Sequence, residues 1–368
     1  MDNHSARRVT RADVARVAGT SVAVVSYVIN NGPRPVAEAT RLRVLAAIEQ
    51  TGYRPNDIAR ALASGSTQTY GLVVPDISNP FFATLARALQ QEAFSRGRVL
   101  LLGDAGDDRQ REYELINNLL RRQVDGLLYT SVDRHPWFDL IRASGTPCVM
   151  IDTIDSQAGV CAIRVDERDA ACQATRHLLQ HGYRDIGIFI GPLTMLNAQD
   201  RLNGWRDALL EAGIAPRDEW IFEAPYTRQG GYQATQRLVQ GPRPRAVFTS
   251  NEQQALGCLS ALAEHGLRAP DDLALICFNG TQQSEFSVPP LSCLSALAEH
   301  GLRAPDDLAL ICFNGTQQSE FSVPPLSAVE QPIDAMAKRA IAMLAAGAAP
   351  AELHEFAFQL RIRRSCGC

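Results

Sequence analysis

The chain predicts an all-α head at residues 1–54, a hinge helix and linker at 55–68, and an α/β core at 69–368 made of two doubly wound parallel-sheet subdomains. Three observations carry this. The stretch TRADVARVAGTSVAVVSYVIN, Thr10 to Asn30, has the apolar spacing of two short helices about a tight turn. From Tyr70 onward, compact apolar runs alternate with amphipathic ones, as parallel strands joined by helices require. Charge divides at the same place: residues 1–65 hold nine arginines against five acids, a net of +4, and the remainder carries −8.

In the head, Thr10 is placed to cap the first helix, and Asp13 three residues on completes an acidic form of the capping box. Val14, Val17 and Ala18 form the expected inner stripe, and Gly19 closes the helix because it tolerates a left-handed cap. Ser21 caps a second helix with Val24, Val25, Val28 and Ile29 inside and Val22, Ala23 and Tyr27 outside. A helix of two turns with so small an outer face suits the major groove of DNA, where a helix-turn-helix presents the first residues of its second helix to base edges. A third helix is expected from about Ala37 to Gln50, with Leu42, Leu45 and Ile48 on one face and with Arg41 and Arg43 available to phosphates. Pro55 then breaks the chain, Asn56 can cap, and DIARALA makes a helix too short to persist without support.

In the core, YGLVVP, VLLLGD, GLLYTS and PCVMID read as strands, with helices at Phe81 to Arg96, Arg109 to Arg122 and Trp137 to Ala143. The pattern restarts with Ala170 to Gln180, DIGIFIG, Arg201 to Glu211, WIFEA, Gly230 to Val239, AVFTS and LALICF. Two such sheets in series leave a cleft, and ligands of open α/β sheets sit beyond the carboxyl ends of the strands.

Composition excludes other classes. No apolar run approaches the roughly 20 residues that span a bilayer, and MDNHSARRVTRADV lacks the apolar segment of a secretory signal, so a cytoplasmic protein without membrane partners is expected. The nine cysteines form no cluster with metal spacing, and neither metal nor cofactor is expected. There is no GxSxG elbow and no GxxxxGK[ST] loop, and the seven histidines are dispersed, which argues against an enzyme.

Residues 258–292 recur without one change as residues 293–327. Such identity implies a recent tandem duplication, or an artefact of sequence assembly. Without one copy, 333 residues remain. Extruding the surplus as a loop costs only about 3 kcal/mol of closure entropy beyond the constant. The expectation is therefore that one copy fills the native place and the other is extruded.

The residues DVARVAGTSVAVVSYVIN, TRLRVLAAIEQTGYRPNDIARALAS, GLVVPDISNPFF, RQVDGLLY, DRLNGW, SNEQQALG, PPLSAVEQP and LRIRRSCG, in this order, resemble the lactose-repressor and galactose-repressor family of bacterial transcription regulators. The resemblance implies a repressor that binds a palindromic operator in double-stranded DNA as a homodimer. It also implies a core like the periplasmic sugar-binding proteins, sensing a sugar-like or nucleoside-like effector. Base reading would fall to Val22, Ala23 and Tyr27, with further DNA contacts from Thr10, Ser21, Ser26, Asn30, Arg41, Asn56 and Ala59. Leu62 stands where the family has a leucine wedged into the minor groove. Effector positions would be Asn79, Phe81, Phe82, Asp152, Arg201, Tyr226, Asn251, Asn279 and Asn314, the last two replacing the aspartate usual after the strand-end aromatic. Two alternatives stand beside this reading: a DNA-binding protein uncoupled from ligand by the duplication, and a solute-binding protein, which would need no basic head.

Overall fold

A computed structural model describes residues 9–30, 34–55, 57–131, 137–151, 161–267, 273–278, 311–313, 327–347 and 352–361. They belong to two compact units, Met1–Thr67 and Gln68–Cys368.

The first unit holds α1 (Arg11–Ala18), α2 (Val22–Asn30), α3 (Glu38–Thr51) and α4 (Asp57–Ser64). The capping box forms: Asp13 N donates to Thr10 Oγ1, and Thr10 N donates to Asp13 Oδ2 at 3.0 Å. Gly19 adopts φ 62° and ends α1, as its place in the sequence requires. Ser21 Oγ accepts from Val24 N at 3.3 Å, fixing the start of α2. Val14, Ala15 and Ala18 of α1 meet Val25 of α2 and Val44 and Ala47 of α3 in one buried cluster, closed by Tyr53. Two of the expected stripes are therefore rotated. Val17 is 40% exposed, and Leu42 and Leu45 are 58% and 44% exposed. The small side chains Ala15, Ala18 and Ala47 let α1 and α3 approach closely, and that selects the Val44–Ala47 face over the bulkier leucines.

In the second unit, lobe 1 alternates β1 (Thr69–Val74), α5 (Pro80–Ser95), β2 (Val99–Asp104), α6 (Arg109–Arg121), β3 (Gly126–Tyr129), α7 (Phe138–Ser144), β4 (Cys148–Ile151) and β5 (Cys161–Val165). Lobe 2 continues with α8 (Glu167–Gln180), β6 (Ile186–Ile190), α9 (Leu196–Glu211), a 3-10 turn leading to β7 (Ile221–Glu223), α10 (Arg228–Val239), β8 (Ala246–Thr249), α11 (Glu252–Glu264) and β9 (Ala274–Phe278). Then follow β10 (Ile311–Phe313), β11 (Ser327–Glu330), α12 (Ile333–Ala345), β12 (Leu353–Phe356) and β13 (Gln359–Arg361).

The sheets run β12-β5-β4-β3-β1-β2 and β13-β11-β10-β9-β8-β6-β7. All described pairings are parallel except β11 with β13. Both faces of each sheet are covered, so strands such as Leu72–Val74 and Ile188–Ile190 are buried on both sides. In lobe 1, α5 and α12 cover one face over Leu72, Leu85, Leu89 and Ile341, and α6 and α7 cover the other over Val73, Ile116 and Leu127. In lobe 2, α8 and α9 close over Trp205, Ile188 and Phe248, and α10 and α11 over Phe189 and Val247.

Two expectations are corrected. The sheets are interleaved and not merely in series: the chain crosses between lobes after β5, after β11 and after β12, and α12 and β12 return to lobe 1. Phe358, in the last crossing, packs against the cores of both lobes. Nor is one copy of the duplicated segment wholly extruded. β9 comes from the first copy and β10 from the second, and they pair parallel with Cys312 beside Cys277 and Phe313 beside Phe278. Equivalent residues of the repeat thus face each other in register. A run with the apolar content of LALICF gains more from ladder bonds inside the sheet than from solvent, and β10 takes a slot between β9 and β11.

Candidate functional site

The first unit presents an outer face on α2. Ser21 and Ala23 are exposed, Val22 is 46% exposed, and Tyr27 is half-buried. Asn30 Nδ2 donates to Ser26 Oγ at 3.2 Å one turn apart, which orients both side chains. Thr10 and Ser21 serve as helix caps at the ends where those helices begin. Arg41 pairs with Glu38 at 3.8 Å on an exposed surface, a contact weak enough for a phosphate to displace. Leu62 on α4 is 81% exposed, an apolar side chain held in solvent. Ala59 lies within α4, and Asn56 lies outside the described residues.

The second unit presents a cleft between the lobes with about 850 Å³ of open space, part of it continuous with solvent. It lies at the carboxyl ends of β1, β2, β6 and β8, where the switch-point rule places ligands. From lobe 1, Asn79 caps α5 by accepting from Phe81 N at 3.1 Å, and Phe81 and Phe82 stack edge to face with centroids 5.1 Å apart. Both rings line the cleft and also pack on the lobe 1 core.

From lobe 2, Arg201 on α9 reaches three elements. Its Nε donates to Glu167 Oε2 at 2.7 Å, and its Nη1 donates to Ser250 O at 3.2 Å and lies 3.4 Å from the Tyr226 hydroxyl. Only 11% of the Arg201 side chain and 6% of that of Glu167 are exposed. Tyr226 is itself clamped. Asn251 Nδ2 donates to its carbonyl at 2.9 Å, Gln254 Nε2 donates to the carbonyls of Ala224 and Pro225, and its hydroxyl lies 3.4 Å from Asn197 Oδ1. The ring lies on Gly191, where a Cβ would come 2.1 Å from Tyr226 Cζ. Asn251 lines the cleft, but its Oδ1 also accepts from Gln254 N to start α11, so both its polar atoms are engaged within the protein.

Of the expected effector residues, Asn79, Phe81, Phe82, Arg201, Tyr226 and Asn251 come together around this cleft. Asp152, Asn279 and Asn314 lie outside the described residues. Sequence reading missed Asp76, Asp107, Arg164, Glu167 and Ser250, which line the same cleft. Asp76 and Asp107 follow β1 and β2, and the strand-end rule could have found them. Ser250 follows β8 and is reachable by the same rule, whereas Glu167 carries no sequence signal, because only the tertiary fold brings it to Arg201. Among the described residues no group of three or more His, Cys, Asp or Glu side chains could hold a metal ion.

The model for bacterial regulatory proteins of the lacI family matches residues 10–56, and that for periplasmic binding proteins and the sugar-binding domain of the LacI family matches residues 67–315. A model for a periplasmic binding protein-like domain matches residues 291–366. The chain is 36% identical over 288 residues to catabolite control protein A of Priestia megaterium, an alignment covering 77% of this chain and 86% of that protein. It is 38% identical over 285 residues to the transcriptional regulator GalR of Escherichia coli K12, covering 77% and 82%. A structure of the transcriptional regulator CelR with cellobiose superposes with a TM-score of 0.64 at 25% identity, covering 97% of this chain and all of that one. The lac repressor dimer bound to operator and an anti-inducer has the same fold, with a TM-score of 0.75 at 24% identity and coverage of 98% and 99%. A capped helix pair at the N-terminus, a two-lobed core with a cleft at its strand ends, and these matches agree: the chain belongs to the LacI family of bacterial transcription regulators.

Proposed function

We propose that this repressor uses residues 1–54 to read a palindromic operator, residues 55–68 as a hinge, and residues 69–368 to bind a sugar-like effector and to dimerise. The observation that carries the reading is the presence in one chain of an exposed α2 face and of a cleft whose Arg201 ties together α8, α9 and the strand ends near Tyr226 and Ser250. An effector that draws on Arg201 would change how those elements meet, and ligand and operator would then favour different arrangements. With Val22 and Ala23 foremost on α2, base readout rests on thymine methyl contact and DNA shape more than on bidentate bonds. Leu62, as an apolar wedge, suits the minor groove. For the dimer, lobe 1 offers β2 at a sheet edge with Val99 and Leu102 exposed, beside an exposed Phe94 on α5. A regulator of this kind works in the cytoplasm and catalyses no reaction. Among the described residues, no single helix is long and apolar enough to cross a membrane.

The test is a gel-shift titration on DNA upstream of the protein's own gene, with and without polar metabolites. One palindromic site, bound with an affinity that ligand changes, is the expected result; binding without sequence preference refutes the reading. A second reading, DNA binding uncoupled from ligand, draws on β10. That strand moves β11, and the crossing at Gln331 that follows it, about 4.8 Å further from β8 than direct β9–β11 pairing would. A palindromic site whose affinity no metabolite alters would favour it.

A further inference from the structure

The seven histidines are dispersed along the sequence, yet two of them meet on one helix. His177 and His181 stand four residues apart at the end of α8, in the run His177-Leu178-Leu179-Gln180-His181. That spacing puts both rings on one helix face, one turn apart. Their Nε2 atoms lie 3.0 Å from each other, and the ring centroids are 4.5 Å apart with the planes at 65°. His177 is 4% exposed whereas His181 is exposed, so the pair is walled on one side and open to solvent on the other. Unprotonated at Nε2, the two rings offer two lone pairs within reach of one ion.

Two histidines at this spacing are the helical half of zinc sites of the His-Glu-x-x-His kind. Leu178 stands here where those sites carry their glutamate, so no general base accompanies the pair. Among the described residues no group of three or more His, Cys, Asp or Glu side chains forms around them, which leaves the other positions of an ion to water. The separation of the nitrogens then selects the ion. At a metal–nitrogen distance of about 2.1 Å, two donors 3.0 Å apart subtend about 90° at the metal. That is the angle between neighbouring ligands of an octahedral or square-planar centre; a tetrahedral one opens to about 109° and would need the nitrogens about 3.4 Å apart. The place also favours a cation. His181 is the C-cap of α8, where the helix presents the negative end of its dipole.

We propose that His177 and His181 form a site for a divalent transition-metal ion that takes neighbouring ligands near a right angle, with nickel(II) as the type and water in its remaining positions. The site is separate from the cleft: along α8, His181 lies about 20 Å from Glu167, the residue that holds Arg201. An ion bound there crosslinks the last turn of α8 and stabilises the folded core by mass action.

The experiment uses the untagged full-length chain, stripped with a chelator and dialysed, with nickel chloride and zinc chloride as the probes. Copper(II) is avoided because it oxidises thiols, and the chain has nine cysteines. By calorimetric titration the parent should bind one nickel ion more per chain than His181→Ala, and zinc should bind that site at least about tenfold more weakly. Nickel at about 100 times its dissociation constant should raise the melting temperature of the parent by about 5 °C and that of H181A by less than about 1 °C. His181 is exposed, so without metal H181A should melt as the parent does, and His177→Leu should lose the same ion. If the parent and both variants bind equal numbers of nickel ions with equal rises in melting temperature, the ions sit elsewhere and the proposal is overturned. Zinc bound at this site as tightly as nickel overturns the choice of ion.

Discussion

Replacing Glu167 by alanine gives the sharpest test of how lobe 2 is held together. The carboxylate is 6% exposed and lies 2.7 Å from the Nε of Arg201, which is itself 11% exposed. Without it the guanidinium retains Ser250 O and the Tyr226 hydroxyl, neutral partners at 3.2 and 3.4 Å. Breaking a buried pair on one side costs about 3–5 kcal/mol, because a desolvated charge is left behind. At about 2 °C per kcal/mol for a large unit, the core should melt roughly 6–10 °C lower by scanning calorimetry. The double variant Glu167→Leu with Arg201→Met removes both charges and should lose less stability than E167A alone, since no orphaned ion remains. If the single effects of E167L and R201M instead add within about 0.5 kcal/mol, the two residues are not coupled and the account of the cleft given above is wrong.

Gly191→Ala places a Cβ 2.1 Å from Tyr226 Cζ, so the ring must leave its seat; effector affinity should fall at least tenfold, measured by titration calorimetry, with a stability loss of about 1–3 kcal/mol. His177 is buried against His181, with Nε2 atoms 3.0 Å apart, and burial followed by the His181 charge lowers its pKa from 6.5 to about 4. The fold therefore favours the neutral ring, and the unfolded chain binds more protons between those values. Stability present above pH 6.5 should fall as pH drops toward 4, and melting curves of His177→Leu should be flatter across that window. Deleting residues 293–327 removes β10 from the sheet, and the denaturant m-value should be lower for the shortened chain; equal m-values would mean that the extra copy buries no surface.

The head was legible almost throughout, because its signals are local. Thr10 with Asp13, Gly19 and Ser21 each act within four residues of themselves, and such capping chemistry survives any tertiary context. The inner face of α3 was not, since Val44 and Leu45 are equally apolar and only the close approach of α1 chooses between them. In the core, strand–helix alternation set the two sheets, and the strand-end rule with the family resemblance pointed to Phe81, Arg201 and Tyr226. The partners that give these residues their chemistry come from far along the chain. Glu167 is 34 residues from Arg201, Ser250 is 49 away, and Gly191 matters to Tyr226 only because β6 ends beneath the ring.

The sequence by itself determined the capped helix pair, the parallel α/β class, the basic head and the duplication, each of which depends on neighbouring residues or on composition. Tertiary structure decided the rest: the threefold crossing that interleaves the lobes, the pairing of Arg201 with Glu167, and the slot taken by β10. Two identical copies of LALICF have identical propensities, so no local signal could distinguish one sheet strand from two; that depends on the ladder groups of β9 and β11 and on the sheet geometry that lets β10 pair with both.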